Sequence, residues 1–512
     1  MNKLTLYILT SFALLVGTAG CEKGFDEMNV NPVQPTALNP INLLNRAMIS
    51  TTNGGYNHLV YEIGIVQQLV SPNGGVLTGA NFNLENRDAA GSNWREFYRG
   101  VLKHTADVKQ MTANDPTRAN LYHMSRIWHS LSAMILTDTY GDVPYSEAGL
   151  GYLNNNVSPK YDAQQAIYQD VMKELEQAAA ALDKTKPVES GDILYAGDID
   201  KWKHLGFSLL LRAAMRHTKV APDVAQQYVA KAAAGGVMQS NADNAAILHN
   251  AAYTNSVGGT LNGGERNNFY LAEPFVNYLK ANNDPRLAAI AVRYVGAKNG
   301  GEQVAARESR APEVQIGMPM GYDNATIQPV ATQKGLASFY DFSQLDRNRM
   351  GGQFAPAFLV THAQTQLLMA EAVVRGWIPG DAAAMYAEAI RAHMNQLASY
   401  GAITTVPAAA IDAYIQAHPF DSARALEQIN TEYWVASFLN PYEAFANFRR
   451  SGYPGRNILP PNPFPGKGIT GEFIRRLVYP DTEYSVNLGN IQEAVSRQGA
   501  DKLDTPVWWD KQ

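Results

Sequence analysis

Residues 118–144 read RANLYHMSRIWHSLSAMILTDTYGDVP, and this stretch decides the fold class. Leu121, Met124, Ile127, Trp128, Leu131 and Ile135 recur at three- and four-residue spacings, which puts them on one face of a helix. Gly141 follows the last periodic residue and Pro144 lies just beyond, the usual way a helix is stopped. The same period runs outward in both directions. It appears at 94–109 (Trp94, Phe97, Tyr98, Val101, Leu102, Val108) and at 162–183 (Ile167, Tyr168, Val171, Leu175, Ala178, Leu182). It returns around Trp202, Leu205, Leu209, Leu210, Ala213 and Met215, and later helices are predicted over 355–376, 382–398, 407–417 and 422–447. Short β-prone pieces occur only near 289–295 and 401–406. The chain is therefore expected to be mainly α.

Residues 382–389 place Ala382, Tyr386 and Ala389 after a helix carrying Leu367 and Ala370 and a turn at Gly376. That small–aromatic–small spacing lets two helices approach closely and resembles the second helix of a tetratricopeptide repeat. Paired helices stacked as a scaffold are the expected architecture. Between 238 and 355 the texture changes to glycine pairs, Asn, Gln and aromatics, and 452–469 is rich in proline. Long irregular segments inside a compact body are usually functional or disordered, and the aromatic content with little charge favours ordered loops.

Composition narrows the function classes. The 512 residues carry 42 Lys+Arg against 47 Asp+Glu, a net charge of −5, so a phosphate-seeking nucleic-acid binder is excluded. Apolar residues make up 46% and charged residues 17%, enough for a large core. A single cysteine, Cys21, excludes a disulfide framework and any multi-cysteine metal site.

The N-terminus is a targeting segment rather than part of the fold. Lys3 supplies the positive start and Leu4–Val16 an apolar run of 13 residues, too short to span a bilayer comfortably. Small residues lead to Ala19-Gly20-Cys21. Ordinary signal cleavage near Ala19 leaves Cys21 incidental, but the position of the lone cysteine resembles a bacterial lipobox, with Thr18 replacing the commoner Leu. On that reading residues 1–20 are a lipoprotein signal peptide, Cys21 is lipidated, residues 21–40 form a tether, and residues 41–512 form one body. Several acyl chains on Cys21 make anchoring durable where one is marginal. Glu22, Asp26 and Glu27 just past Cys21 also resemble an export signal of surface lipoproteins.

A search for catalysis is thin. His123 and His129, the closest histidine pair, are six residues apart and fall on nearly opposite helix faces, so they do not share a metal. There is no His-Glu-x-x-His, no Gly-x-Ser-x-Gly elbow, and Gly466-Lys467-Gly468 lacks a phosphate loop's spacing. Glu371 is a possible buried acid, but a glycosidase needs two carboxylates at fixed separation.

A series of motifs in order gives a family resemblance. They are Phe25-Asp26-Glu27-Met28-Asn29-Val30-Asn31-Pro32; Trp94-x2-Phe97-Tyr98; Tyr140-Gly141-Asp142-Val143-Pro144-Tyr145; Ile167-Tyr168-x6-Leu175; and Gly197-Asp198-x3-Trp202-x5-Ser208-Leu209-x2-Arg212. Asp284-Pro285-Arg286-Leu287, Ala370-Glu371-Ala372-x3-Gly376 and Arg449-Arg450-Ser451-Gly452-Tyr453-Pro454 follow. Arg476-Leu477-x-Tyr479-Pro480 and the closing Thr505-Pro506-Val507-Trp508-Trp509-Asp510 complete the series. The chain resembles the SusD/RagB family of outer-membrane lipoproteins, in its SusD-like branch. The resemblance implies four tetratricopeptide-like pairs, no enzyme activity and no cofactor. It also implies a role as surface-exposed lid on a TonB-dependent channel, capturing oligosaccharides, or alternatively oligopeptides. Trp94, Trp202, Tyr140 and Arg212 are expected to be packing residues.

Sugars present apolar C–H faces rimmed by hydroxyls, so their recognition needs flat rings beside amide and guanidinium groups. The loops offer Phe82 with Asn83, Arg266 with Tyr270, Tyr322, and Tyr340 as candidate ligand contacts, with no metal site. The readings in contention are oligosaccharide capture, peptide capture on the same scaffold, and a secreted glycan hydrolase. Turnover of a bound glycan separates the last from the first two.

Overall fold

The computed structural model describes residues 38–73, 77–151, 155–463 and 469–511. Cys21, the signal segment and nearly all of the tether lie outside the described residues. Helices dominate. The scaffold is built from α1 (Pro40–Ser50), α2 (Lys103–Thr112), α3 (Ala119–Tyr140), α4 (Gln164–Ala181), α5 (Ile199–Met215) and α6 (Pro222–Gly235), followed by α7 (His362–Val374), α8 (Ala382–Gln396), α9 (Ala425–Ala436) and α10 (Pro441–Ser451). Neighbours in this order pack side by side: α2 on α3, α3 on α4, α4 on α5, α5 on α6, α7 on α8, and α9 on both α7 and α10.

Local chemistry sets these boundaries. Gly141 ends α3 with a φ of 83° and gives its N–H to the Thr137 carbonyl at 2.8 Å, a conformation that a Cβ would strain. Asp198 caps α5, accepting from the amides of Asp200 and Lys201. Thr361 and Gln364 form a reciprocal capping box at the start of α7. Gly206 lets α5 sit on α4, since a Cβ there would lie 2.7 Å from the Cβ of Ala179. Tyr386 and Ala389 of α8 and Leu367 and Ala370 of α7 are buried, as the small–aromatic–small spacing predicts.

Three boundaries differ from expectation. The segment predicted as a helix over 422–447 is a short 3-10 turn (Ser422–Arg424) followed by two helices, α9 and α10, with Leu439 at a φ of 66° between them. Pro441 inside a run would clash with the carbonyl four residues earlier, so it starts a new helix instead. The front of the predicted 355–376 helix is a strand, Ala357–Val360, paired antiparallel with Ala245–Ile247. Residues 401–406 are not a strand; they contain a 3-10 turn at Ala402–Thr404. The 289–295 expectation holds as β4 (Ala291–Tyr294). β4 is the centre of a three-stranded sheet with β5 (Glu308–Ser309) and β6 (Gln344–Leu345).

One continuous apolar cluster runs from Ile41 to Trp509. The C-terminal segment closes it. Trp509, fully buried, donates from Nε1 to Asp138 Oδ1 at 2.9 Å, and Asp138 also accepts from Tyr168 and from Arg216 Nε at 3.2 Å. Leu477 N–H reaches the Thr139 carbonyl at 2.9 Å, and Arg497 Nε reaches Asp142 Oδ2 at 3.0 Å. The end of α3 is thus held from the far end of the chain.

Candidate functional site

The irregular segments converge on Asn81. Its side-chain amide donates to the carbonyls of Ser71 at 2.8 Å and Tyr322 at 3.0 Å, while its Oδ1 accepts from Gly321 N–H at 2.8 Å. Asn462 donates in turn to the Asn81 carbonyl, and Gln67 Nε2 to the Pro460 carbonyl at 2.6 Å. A buried amide with both N–H groups and its carbonyl engaged fixes backbone position. Three distant segments are therefore held together, with Phe82 and Tyr322, both half-buried, leaving adjacent stretches of backbone.

From Tyr322 the chain turns on Asp323, whose carboxylate accepts from Thr326 Oγ1 at 2.7 Å and from the amides of Ala325 and Thr326. The Thr326 hydroxyl holds the Asp323 carboxyl below the usual carboxylate range, so it stays charged and turned onto its own loop. The helix Ile327–Gln333 then leads to Phe339 and Tyr340. The amide of Phe339 donates to Gln328 Oε1 at 3.2 Å. The Phe339 and Tyr340 rings stack at 4.1 Å and 28°, both half-buried, with Tyr340 resting on Val292, Tyr294 and Ala297. Gln303 Nε2 fixes the Tyr340 carbonyl at 2.9 Å.

The sequence-predicted residues separate here. Phe82, Tyr322 and Tyr340 present part of a ring at the surface, and Arg266 is exposed. Tyr270 is a correction: it has 0% exposure, lies in the two-residue strand β3 (Tyr270–Leu271), and donates its hydroxyl to the Asn267 carbonyl at 2.7 Å. Burial pushes its phenol up, and no ligand can stack on it. Asn83 is also a correction: it is buried, at a φ of 52°, with its side-chain nitrogen unpartnered and out of a ligand's reach. Phe339, at the edge of Tyr270 and stacked on Tyr340, takes the place that sequence reasoning gave to Tyr270.

Sequence reasoning missed Phe354, the one exposed aromatic ring among the described residues, at 60%. It lies beside Gln353, whose carbonyl accepts from Asn255 N–H at 2.7 Å, bringing the 351–355 and 250–255 loops together. The paired glycines Gly351-Gly352 next to a phenylalanine were the available signal.

Catalytic candidates fail on geometry. Glu371 is wholly buried, bonded to Arg450 at 2.7 and 2.8 Å, to Arg375 and to Asn430. Burial pushes its carboxyl up, but Arg450 and Arg375 outweigh it and hold the group at about 2. A permanently ionised, inaccessible carboxylate is no general acid. Among the described residues no group of His, Cys, Asp and Glu is placed to hold a metal, and no helix is long and apolar enough to cross a membrane.

Comparison with known proteins agrees with this architecture. A family model described as SusD-like, starch-binding and associating with the outer membrane, matches residues 32–480. The chain belongs to the SusD-like family. A solved chitin-binding protein is 33% identical with a TM-score of 0.81, over 93% of this chain and 100% of its own. A SusD-like protein of Bacteroidetes AC2a is 27% identical with a TM-score of 0.79, again over 93% and 100%. A chitin-binding SusD homolog from Flavobacterium johnsoniae shares the fold at 24% identity and a TM-score of 0.73, over 92% and 97%. No curated protein matches the chain significantly.

Proposed function

We propose that this protein is a cell-surface lipoprotein that captures oligosaccharides and delivers them to a TonB-dependent outer-membrane channel without chemically altering them. The observation that carries the reading is the set of half-buried rings, Phe82, Tyr322, Phe339 and Tyr340, on backbone pinned by Asn81 and Gln303. Rings held in place before binding stack on a sugar's apolar face without an ordering cost. Partly exposed flat rings suit the apolar C–H faces of a neutral glycan. The 33% identical chitin-binding relative makes β-linked N-acetylglucosamine oligomers the first ligands to test. Family membership supports the channel partner and the outer-membrane location, and the Ala19-Gly20-Cys21 sequence supports the lipid anchor.

Calorimetry of residues 22–512 against chitohexaose, a panel of other neutral oligosaccharides and a mixed-peptide digest tests the reading, with chromatography of each bound glycan afterwards. Saturable binding of one glycan class, recovered intact, is expected. Binding of peptides alone, or cleavage of the bound glycan, overturns it.

A further inference from the structure

Tyr278, Tyr386 and Tyr414 come from three helices, Glu273–Ala281, α8 and Ala408–Ala417, and line one cleft of about 980 Å³. Tyr386 and Tyr414 are each 7% exposed, and Tyr278 is half-buried. Neighbours fix the rings. Tyr278 meets Trp434 edge-on, Tyr386 leans on Phe420 at 5.5 Å, and Tyr414 stacks on His418 at 4.2 Å with the Arg286 guanidinium 5.7 Å from its centre. None of the three hydroxyls has a hydrogen-bond partner among the described residues, and none is sealed off from the cleft. Tyr140, Tyr168 and Tyr433, buried elsewhere, donate theirs to the Ala90 carbonyl, Asp138 and Glu443.

The surroundings of these hydroxyls are rich in carboxylate. Glu427 of α9, half-buried on the cleft wall, has no ion pair among the described residues. The other two acids of the lining are engaged, Glu273 with Lys334 and Asp421 with Arg424 at 3.0 Å. Behind the tyrosines, Arg286 faces two carboxylates, Asp284 and Glu432. His418 donates from Nδ1 to the Tyr414 carbonyl at 2.9 Å. Burial pushes all three phenols up, and carboxylates add to it, Glu432 at each and Glu427 at Tyr278. The hydroxyls therefore stay neutral, and each offers an oxygen lone pair as well as a proton. At the rim, Asn277 and Asn457 are exposed.

We propose that this cleft binds a glycan carrying free primary amines, an oligomer of a de-N-acetylated amino sugar, with one ammonium held between Glu427 and the hydroxyls of Tyr278, Tyr386 and Tyr414. An ammonium has three donors and no acceptor, which matches an unpaired carboxylate beside neutral phenol oxygens. An N-acetyl group in its place brings no charge and leaves Glu427 uncompensated. The volume lies at the upper end for small-molecule sites and suits an oligomer rather than a lone amine. Asn277 and Asn457 supply rim amides for its hydroxyls. That the ammonium arrives on a sugar rests on the glycan-capture reading above. The cleft shares no lining residue with the Phe82, Tyr322, Phe339 and Tyr340 face.

The test is calorimetry of residues 22–512 with glucosamine trimer, N-acetylglucosamine trimer and cadaverine, buffered where the amines are protonated. It is run on the wild type and on Tyr322→Ala, which removes a ring from the aromatic face. In Tyr322→Ala, saturable binding of the glucosamine trimer at least tenfold tighter than of the N-acetylated trimer is expected. Adding Glu427→Gln should weaken that binding at least tenfold. Tyr386→Phe and Tyr414→Phe, which delete a hydroxyl and keep the ring, should weaken it about tenfold each, with melting temperatures confirming that the variants fold. Equal affinity for the two trimers, cadaverine binding as tight as the glucosamine trimer, or unchanged affinity in Glu427→Gln overturns the proposal. The change in N-acetylated trimer affinity between wild type and Tyr322→Ala reports on the aromatic face alone, so the two readings fail separately.

Discussion

Asn81 donates to the carbonyl of Tyr322 across 241 residues of sequence, and the same side chain accepts from Gly321. Two of the half-buried rings, Phe82 and Tyr322, are thus placed by one amide rather than by the secondary structure around them.

Replacing those rings separates binding from stability. Phe82→Ala and Tyr322→Ala are each expected to reduce affinity for the cognate glycan tenfold to a hundredfold, about 1–3 kcal/mol, because each removes a partly exposed apolar face. Melting temperature should move little. Tyr270→Ala should do the reverse, costing about 3–5 kcal/mol of stability, since the whole side chain is inside. Calorimetry beside thermal melts of the three variants checks both halves.

Trp202 is wholly buried, donates from Nε1 to Asp192 Oδ2 at 2.7 Å, and meets Trp128 and Tyr195 edge-on. Trp202→Ala should destabilise by about 3–5 kcal/mol through the cavity alone, with a further cost for the stranded Asp192. Urea unfolding measures it.

Acid should weaken the scaffold at Glu371. Its folded value, about 2, lies below the unfolded value near 4.5, so its contribution is full above the unfolded value and is lost as pH falls towards 2. The shift corresponds to something on the order of 3 kcal/mol. Glu371→Gln, which leaves Arg450 uncompensated, should be less stable at pH 7 and show a shallower loss between pH 5 and 2. Urea midpoints of both proteins across that range decide it.

Cys21→Ala is expected to release the folded protein from the membrane fraction, because the proposed lipid anchor sits on that residue and no described helix is long and apolar enough to replace it. Fractionation of cells lacking the channel partner tests this directly.

The helical scaffold was legible because periodic burial leaves a direct trace. Trp202, Leu205 and Leu209 are one face in sequence and one buried face in space. Breaks were less so. Pro441 sits in an apolar run whose period continues across it, and only backbone sterics divide α9 from α10. At the candidate site, composition named the right kinds of residue but could not orient them. Tyr270 and Tyr322 have similar surroundings in sequence, yet pairing of β3 with β1 (Leu69–Val70) buries the first, while Asn81 leaves the second at the surface. Both outcomes depend on partners some 200 residues or more away, which no local window contains.

The contact between Trp509 and Asp138 joins residues 371 positions apart. Without the indole, Asp138 would keep only Tyr168 and Arg216 and a cavity would open beside α3, so a lesion in the segment around residue 509 is paid for in the middle of the helical scaffold, and the two ends of the body melt as one unit.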